Sequence, residues 1–238
     1  MLDDWSQFPA YVLQMEQRGL VTRTFRRLDI ERQKAVIQAI LEESAERGPQ
    51  NLNVKNVAQR SNVPVGSLYQ YFDDRQAMVG FAVQLCVDYV LALFEESRQY
   101  LRAMPLREAL TSYLSYGVEW SREQAWMLKL FARAAYQGDP DLAESLVRPV
   151  ATAMRETTRE ILVEAKARGE IRPEVDLEAA ARVVNALIIA VADPVLMPHL
   201  NIYFQVIDDE EISPERVFTA ALELLIQGIG ASETGKGS

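Results

Sequence analysis

LNVKNVAQRSNVPVGSLYQYFDDR, residues 52–75, decides the fold of this chain. The side-chain oxygen of Asn53 suits the cap of a helix over 54–60, in which Val57 and Ala58 face inward. Asn62 follows where the chain must reverse between two packed helices, and asparagine tolerates the left-handed conformation that such a reversal needs. Val63 plugs the corner. Pro64 suits the first position of the next helix, where a missing N–H costs nothing. That helix, 64–71, is expected to bury Leu68 and Phe72. Its open face should carry Val65, Gly66, Ser67, Gln70 and two tyrosines, Tyr69 and Tyr71. Asp73 or Asp74 then caps a long helix. The layout is a helix-turn-helix, whose second helix is shaped to enter a DNA major groove.

Upstream, the spacing predicts a supporting helix over 30–47, with Val36, Ile37, Ile40, Leu41 and Ser44 on one face and Gly48 with Pro49 ending it. Before it stands TRTFRR, 22–27, with three arginines in six residues. Its place ahead of the helix-turn-helix makes it a candidate arm, reaching a minor groove or phosphates through Arg26 and Arg27. Earlier still, Trp5, Phe8, Val12 and Met15 recur at spacings of three and four, the pattern of a short amphipathic helix ending before Gly19.

At 238 residues and 49% hydrophobic, the chain can bury a substantial core. Period-two alternation is almost absent and glycine and proline fall where helical patterns stop, so an all-α fold is expected. One cysteine and one histidine exclude a disulfide framework within the chain and zinc sites built from four cysteines, from paired cysteines and histidines, or on an HExxH helix. No cofactor or metal is expected, and no enzymatic activity. The N-terminus has two early acids and no signal-length apolar run, while the most apolar stretch, 183–192, is too short to span a bilayer. A cytoplasmic protein with no membrane partner is expected. The net charge of −9 argues against DNA binding only when read globally. Between residues 20 and 80, nine basic residues oppose seven acids, a surplus of two that leaves −11 for the remainder.

The pattern V-x-x-V-A-x-x-S-N-V-P-x-G-S-L-Y-x-Y-F-x-x-R, from Val54 to Arg75, resembles the TetR family of bacterial transcriptional regulators. The motif is specific, although it covers only about a tenth of the chain. Asn62 stands where the family has glycine, a compatible change, and Val65 stands where it often has a basic residue. The resemblance implies that Val65, Gly66, Ser67 and Tyr69 read base edges, Gly66 by letting the backbone approach. Asn53, Lys55, Gln70, Tyr71 and Arg75 would hold phosphates. It implies a ligand-responsive repressor that binds a palindromic double-stranded operator as a homodimer. A family member without a small-molecule effector is the alternative reading, and a helical protein-binding adaptor a remote one.

The implied domains are an N-terminal extension and arm (1–28), the DNA-binding head (29–75), an effector-binding and dimerisation domain (76–230) and a tail (231–238). Within the larger part the periodicity predicts helices over 74–104, 106–120, 123–136 and, with a kink or break at Pro149, from Asp139 to Arg168. A turn over 169–176 follows. Asp176 caps a helix that ends near Pro194, a connection runs over 197–212, and Ser213 with Pro214 opens the last helix. Aromatic density suggests an apolar pocket for a hydrophobic or aromatic effector. Its candidate residues are Cys86, Tyr89, Tyr113 and Tyr116, with Trp120, Trp126, Met127 and Phe131. The two late helices are more apolar than one body needs. By the resemblance they form a dimer interface through Val184, Leu187, Ile188 and Val191, with Val217, Ala221, Leu224 and Leu225. His199 and the acids of 208–211 read as ordinary surface.

Overall fold

The computed structural model describes residues 8–136, 140–207 and 211–231. The protein is 81% helical, and no β-strand forms among the described residues. In chain order the helices of the first part are α1 (Phe8–Gln17), α2 (Arg23–Arg26), α3 (Ile30–Arg47), α4 (Val54–Arg60), α5 (Val65–Tyr71) and α6 (Arg75–Leu101). There follow α7 (Leu106–Glu123), α8 (Ala125–Tyr136), α9 (Pro140–Leu142), α10 (Arg148–Ala167), α11 (Leu177–Leu196), α12 (Pro198–Phe204) and α13 (Pro214–Ile229). They pack as two compact units, one of Met1–Tyr89 with Gln124–Pro149, the other of Val90–Glu123 with Val150–Ser238.

Short polar side chains set several helix starts, because each supplies an acceptor to a backbone N–H that has no intrahelical partner. The Asp29 carboxylate accepts from the Arg32 N–H at 2.9 Å, Asn53 from Lys55 at 3.0 Å and Asp74 from Ala77 at 2.7 Å. Asp176 accepts from Glu178 and Ala179, and Ser213 from Arg216. Asn62 takes the expected left-handed backbone, with φ 54°. Pro64 sits one place earlier than expected, as the cap of α5 rather than its first residue. Its carbonyl accepts the Ser67 N–H at 2.9 Å.

In the first unit Phe25 is the centre of an aromatic cluster. Its ring lies 5.3 Å from Phe72, 5.9 Å from Phe81 and 5.9 Å from Tyr71. Val12, Met15, Ile37, Ile40, Leu68 and Met78 are fully enclosed in the same unit. Each such side chain contributes roughly 1.5–3 kcal/mol on burial. Trp5 lies outside the described residues, as does the side chain of Phe8. Where a break at Pro149 is expected, the backbone instead widens to a π-turn over Ala143–Val147 and then enters α10. Asp139, the expected start of that stretch, lies outside the described residues.

In the second unit Leu110, Leu114 and Val118 of α7 pack with Ile161 and Leu162 of α10, Val184 and Ile188 of α11, and Leu222 and Leu225 of α13. Gly169, at φ 79°, turns the chain out of α10. The turn is then stitched to the end of α13, with Arg172 N–H donating to Ile229 at 3.0 Å and Ala231 N–H to Glu170 at 2.8 Å. Two expectations change here. α11 runs through Pro194 to Leu196, because buried Pro194 and the partly buried Val195 and Leu196 gain core contacts that offset one lost backbone hydrogen bond. The 197–212 connection holds a helix, α12, which Pro198 opens and the left-handed Gln205 (φ 50°) closes.

The length of α11 also corrects the reading of 183–192 as too short to span a bilayer. Arg75–Leu101 and Leu177–Leu196 are long and apolar enough to cross a membrane by length and composition. Here many of their apolar residues, such as Met78 and Phe81 or Val184 and Ile188, instead fill the packed cores of the two units.

Candidate nucleic-acid interface

α5 splits sharply into an inner and an outer face. Leu68 is fully buried and the following Phe72 is too, whereas Val65 is 38% exposed and Tyr69 50%. Gly66 is also open. A methyl group added there would meet nothing within 4 Å, and its backbone is not left-handed. Glycine in a helix costs about 1 kcal/mol relative to alanine. The fold therefore does not need Gly66, and what it provides is a bare stretch of backbone on the outer face. Ser67 is half-buried beside it.

Tyr71 corrects the expectation of two tyrosines on the open face. It is only 6% exposed, with its ring against Phe25. Two residues along an α-helix differ by about 200° in direction, so a surface that exposes Tyr69 must turn Tyr71 inward. Tyr71 serves the core here, and only its neighbours Tyr69 and Gln70 are open.

The arm is a second correction. Residues 22–27 are folded back as the single turn α2, because Phe25 is apolar enough to anchor them in the core. The Thr22 N–H donates to the Tyr71 carbonyl at 2.9 Å and its hydroxyl to the Gln70 carbonyl at 2.5 Å. From the other side the buried Gln33 amide donates to the carbonyls of Phe25 at 3.0 Å and Arg26 at 3.2 Å. Arg26 pairs with Glu16, while Arg27 remains exposed.

Of the residues expected at phosphates, Lys55 and Asn53 stand exposed at the start of α4. Arg75 is exposed and donates to the Gln50 carbonyl. Several other cations of the head are engaged by carboxylates. Arg60 of α4 faces three glutamates of α3, with distances of 3.4 Å to Glu42, 3.6 Å to Glu43 and 2.5 Å to Glu46. The hydrogen bond from Arg60 holds the Glu46 carboxyl below its ordinary range, and the same bond raises Arg60. Arg47 lies 3.1 Å from Glu43. By contrast the exposed Arg23, Arg27, Arg32 and Lys55 make no ion pair among the described residues. Arg23 was expected only as one of the three arginines of the arm, and Arg32 was not expected at the interface, because neither belongs to the helix-turn-helix motif.

The expected pocket residues divide between the units. Cys86, Tyr89, Met127 and Phe131 belong to the first, with Cys86 and Met127 enclosed and the Cys86 thiol pushed up by burial. Tyr113, Tyr116 and Trp120 belong to the second. Tyr113 packs 6.5 Å from Phe94, and burial pushes its phenol up, its buried hydroxyl having no hydrogen-bond partner among the described residues. Tyr116 is 67% exposed on α7, whose buried side is taken by Leu114 and Val118, so it lines no enclosed space. The Trp126 side chain lies outside the described residues. A cleft of about 370 Å³ does open in the first unit, lined by Val12, Leu13, Arg26, Leu28, Ile30 and Gln33, none of them an expected pocket residue.

The expected interface residues are likewise sorted by the structure. Val184, Ile188 and Leu225 are buried in the chain itself, because helical rotation turns them into the core with α7 and α10, and Val191 is buried as well. Leu187, Val217 and Ala221 are half-buried. Leu224 is 69% exposed and Val183 64%, and these are the open large apolar residues of α11 and α13.

This arrangement, an N-terminal helix-turn-helix followed by a helical body, is that of a one-chain transcriptional regulator. Residues 36–80 match the family model described as bacterial regulatory proteins, tetR family, and residues 105–192 match the tetracyclin repressor-like C-terminal domain. The chain belongs to the TetR family of transcriptional regulators. Similar solved structures include a TetR-family regulator from Chloroflexus aurantiacus J-10-FL, at 19% identity and TM-score 0.58, covering 90% of this chain and 100% of that one. Another is FadR from Bacillus subtilis in complex with stearoyl-CoA, at 19% and 0.58, covering 82% and 98%. A third is SmeT, the repressor of the Stenotrophomonas maltophilia multidrug efflux pump SmeDEF, at 14% and 0.60, covering 84% and 91%. At these identities the likeness concerns the fold. No curated protein matches the chain in sequence.

Proposed function

We propose that this chain is a cytoplasmic regulator, not an enzyme, that binds a palindromic operator as a homodimer and loosens its grip when an apolar ligand binds. The observation that carries the DNA reading is the outer face of α5. Val65, Gly66 and Tyr69 stand open on a helix whose other side is fixed by Leu68 and Phe72, beside the exposed Lys55 and Asn53 of α4. Tyr69, Ser67 and the Val65 side chain are suited to base edges, the last through a thymine methyl. Asn53, Lys55, Gln70 and Arg75 are suited to phosphates.

Dimerisation is supported by α11. Only 28% of its most apolar stretch is buried within the chain, so a second surface is needed to cover the rest, including Val183. Two copies related by a two-fold axis would then set two α5 helices one DNA turn apart, roughly 34–36 Å. Ligand response is supported in the second unit by the fully buried Thr157, whose hydroxyl has no hydrogen-bond partner among the protein atoms, and by the neighbouring Tyr113–Thr158 contact. FadR from Bacillus subtilis, which shares the fold, holds stearoyl-CoA. A hydrophobic chain with one or two polar anchors is the effector class proposed here.

Selection from a random duplex library tests the reading. A palindromic consensus, bound with affinity that falls steeply as salt rises, is the expected result. Recovery of no sequence at any salt concentration would remove it. Thermal shift with long-chain acyl compounds separates the two forms of the proposal, since an unmoved melting temperature across the series leaves a regulator without such an effector.

A further inference from the structure

The head contains one carboxylate with no solvent exposure, Glu43 on α3. It lies against the start of α4, and its Oε1 accepts from the Asn56 side-chain amide at 3.0 Å and from the Asn53 N–H at 3.4 Å. The same oxygen is 3.1 Å from the Arg47 guanidinium, and Oε2 is 3.6 Å from that of Arg60. A buried charge is tolerated only when its partners hold it, and moving any one of them exposes the rest to the full desolvation cost. α4 is therefore fixed against α3 by a directional polar lock where two apolar surfaces alone would allow sliding. α4 also delivers Asn53 and Lys55 outward and, through the tight turn at Asn62, sets the pose of α5.

We propose that Glu43 is a positioning residue for sequence-specific DNA binding. It fixes the pose of the helix-turn-helix and, together with Glu42 and Glu46, withholds Arg47 and Arg60 from phosphate. The proposal rests on the DNA-binding reading above. It makes Glu43 a determinant of specificity rather than of affinity alone, because its loss both loosens base contacts and releases positive charge that binds any sequence. Arg60, despite lying in the helix-turn-helix, then adds nothing to the salt dependence, unlike Lys55.

The test compares full-length wild type, Glu43→Gln, Asn56→Ala and Arg60→Gln, each on a duplex that wild type selects from a random library and on poly(dI-dC). Glu43→Gln keeps the side-chain shape and one acceptor but removes the charge. Expected is an about tenfold loss on the selected duplex with equal or tighter binding to poly(dI-dC). Asn56→Ala, milder for folding, should lose discrimination in the same direction, and Arg60→Gln should leave the salt slope unchanged. Circular dichroism and melting are read in parallel. A purely structural role would lower the melting temperature yet keep the ratio of specific to non-specific affinity well below that temperature, and that result overturns the proposal. If Glu43→Gln does not fold, an Asn56→Ala ratio equal to wild type overturns it as well. Wild type that selects no duplex removes the DNA-binding reading and this proposal with it, whereas a selective wild type with an equally selective Glu43→Gln overturns Glu43 alone.

Discussion

The hydroxyl of Thr22 donates to the carbonyl of Gln70 at 2.5 Å, joining the segment before α3 to the last turn of α5. The same hydroxyl caps α2 by accepting from the Phe25 N–H at 3.4 Å. Thr22→Val keeps the shape and removes both bonds. We expect a loss of about 1–2 kcal/mol in unfolding free energy, measured by urea titration, with weaker binding to the selected duplex. An unchanged midpoint would show that the stitch contributes nothing.

Gly66 separates folding from binding. Since an added methyl meets open space, Gly66→Ala should stabilise the head by up to about 1 kcal/mol, seen as a rise in melting temperature. Duplex affinity should fall at the same time, because the methyl then stands between backbone and bases. A variant as tight as wild type would remove the close-approach role.

Lys55 is exposed and makes no ion pair among the described residues. Lys55→Ala should weaken binding to every duplex alike and flatten the dependence of log affinity on log salt by about one charge. A change in sequence preference instead would give Lys55 a base-reading part.

Val183 and Leu224 are the open large apolar residues of two adjacent helices. Val183→Glu or Leu224→Glu should shift the protein from dimer to monomer in sedimentation velocity with little change in helicity, as neither side chain belongs to the core. A wild-type protein that sediments as a monomer at micromolar concentration contradicts the interface.

Acid should weaken both units. Glu46, Glu178 and Glu223 are each held below the usual 4.5, chiefly by hydrogen bonds from Arg60, Arg159 and Arg107. With folded values depressed, their contribution is present above pH 4.5 and is lost as pH falls through the lower folded values, because the unfolded chain takes up protons first. Melting temperature should drop below that pH, and less so at about 1 M salt, where exposed pairs are screened. A flat profile would assign these pairs no share in stability.

The helix boundaries of the head were legible because they are local. Asp29, Asn53, Asp74 and Asn62 act on backbone groups within three residues, and sequence spacing alone carries that information. Val36, Ile37 and Ile40 were legible through their period. Tyr71 and the 22–27 segment were not, since both depend on Phe25 finding a pocket made by α5 and α6, a contact between residues far apart in sequence. How the interface residues divide between buried and open was hidden for a related reason. An apolar stripe shows that a helix has an inner face but leaves open which stripe meets the chain's own core, and α11 has apolar residues on more than one side. α12 had a signal in Pro198, yet its closure by Asn201, which holds the N–H groups of Val206 and Ile207 at 2.9 and 3.1 Å, becomes visible only in three dimensions.

Cys86, enclosed on the inner side of α6 with its thiol pushed up by burial, is the chain's single cysteine. The native protein is thereby silent to alkylating reagents, and modification can proceed only through an opening of the first unit. Alkylation rate becomes a clock for that opening, read with and without operator duplex. The same silence leaves a cysteine introduced on the surface as the one labelled position, so fluorophore pairs can be placed on the two copies of a dimer against no background.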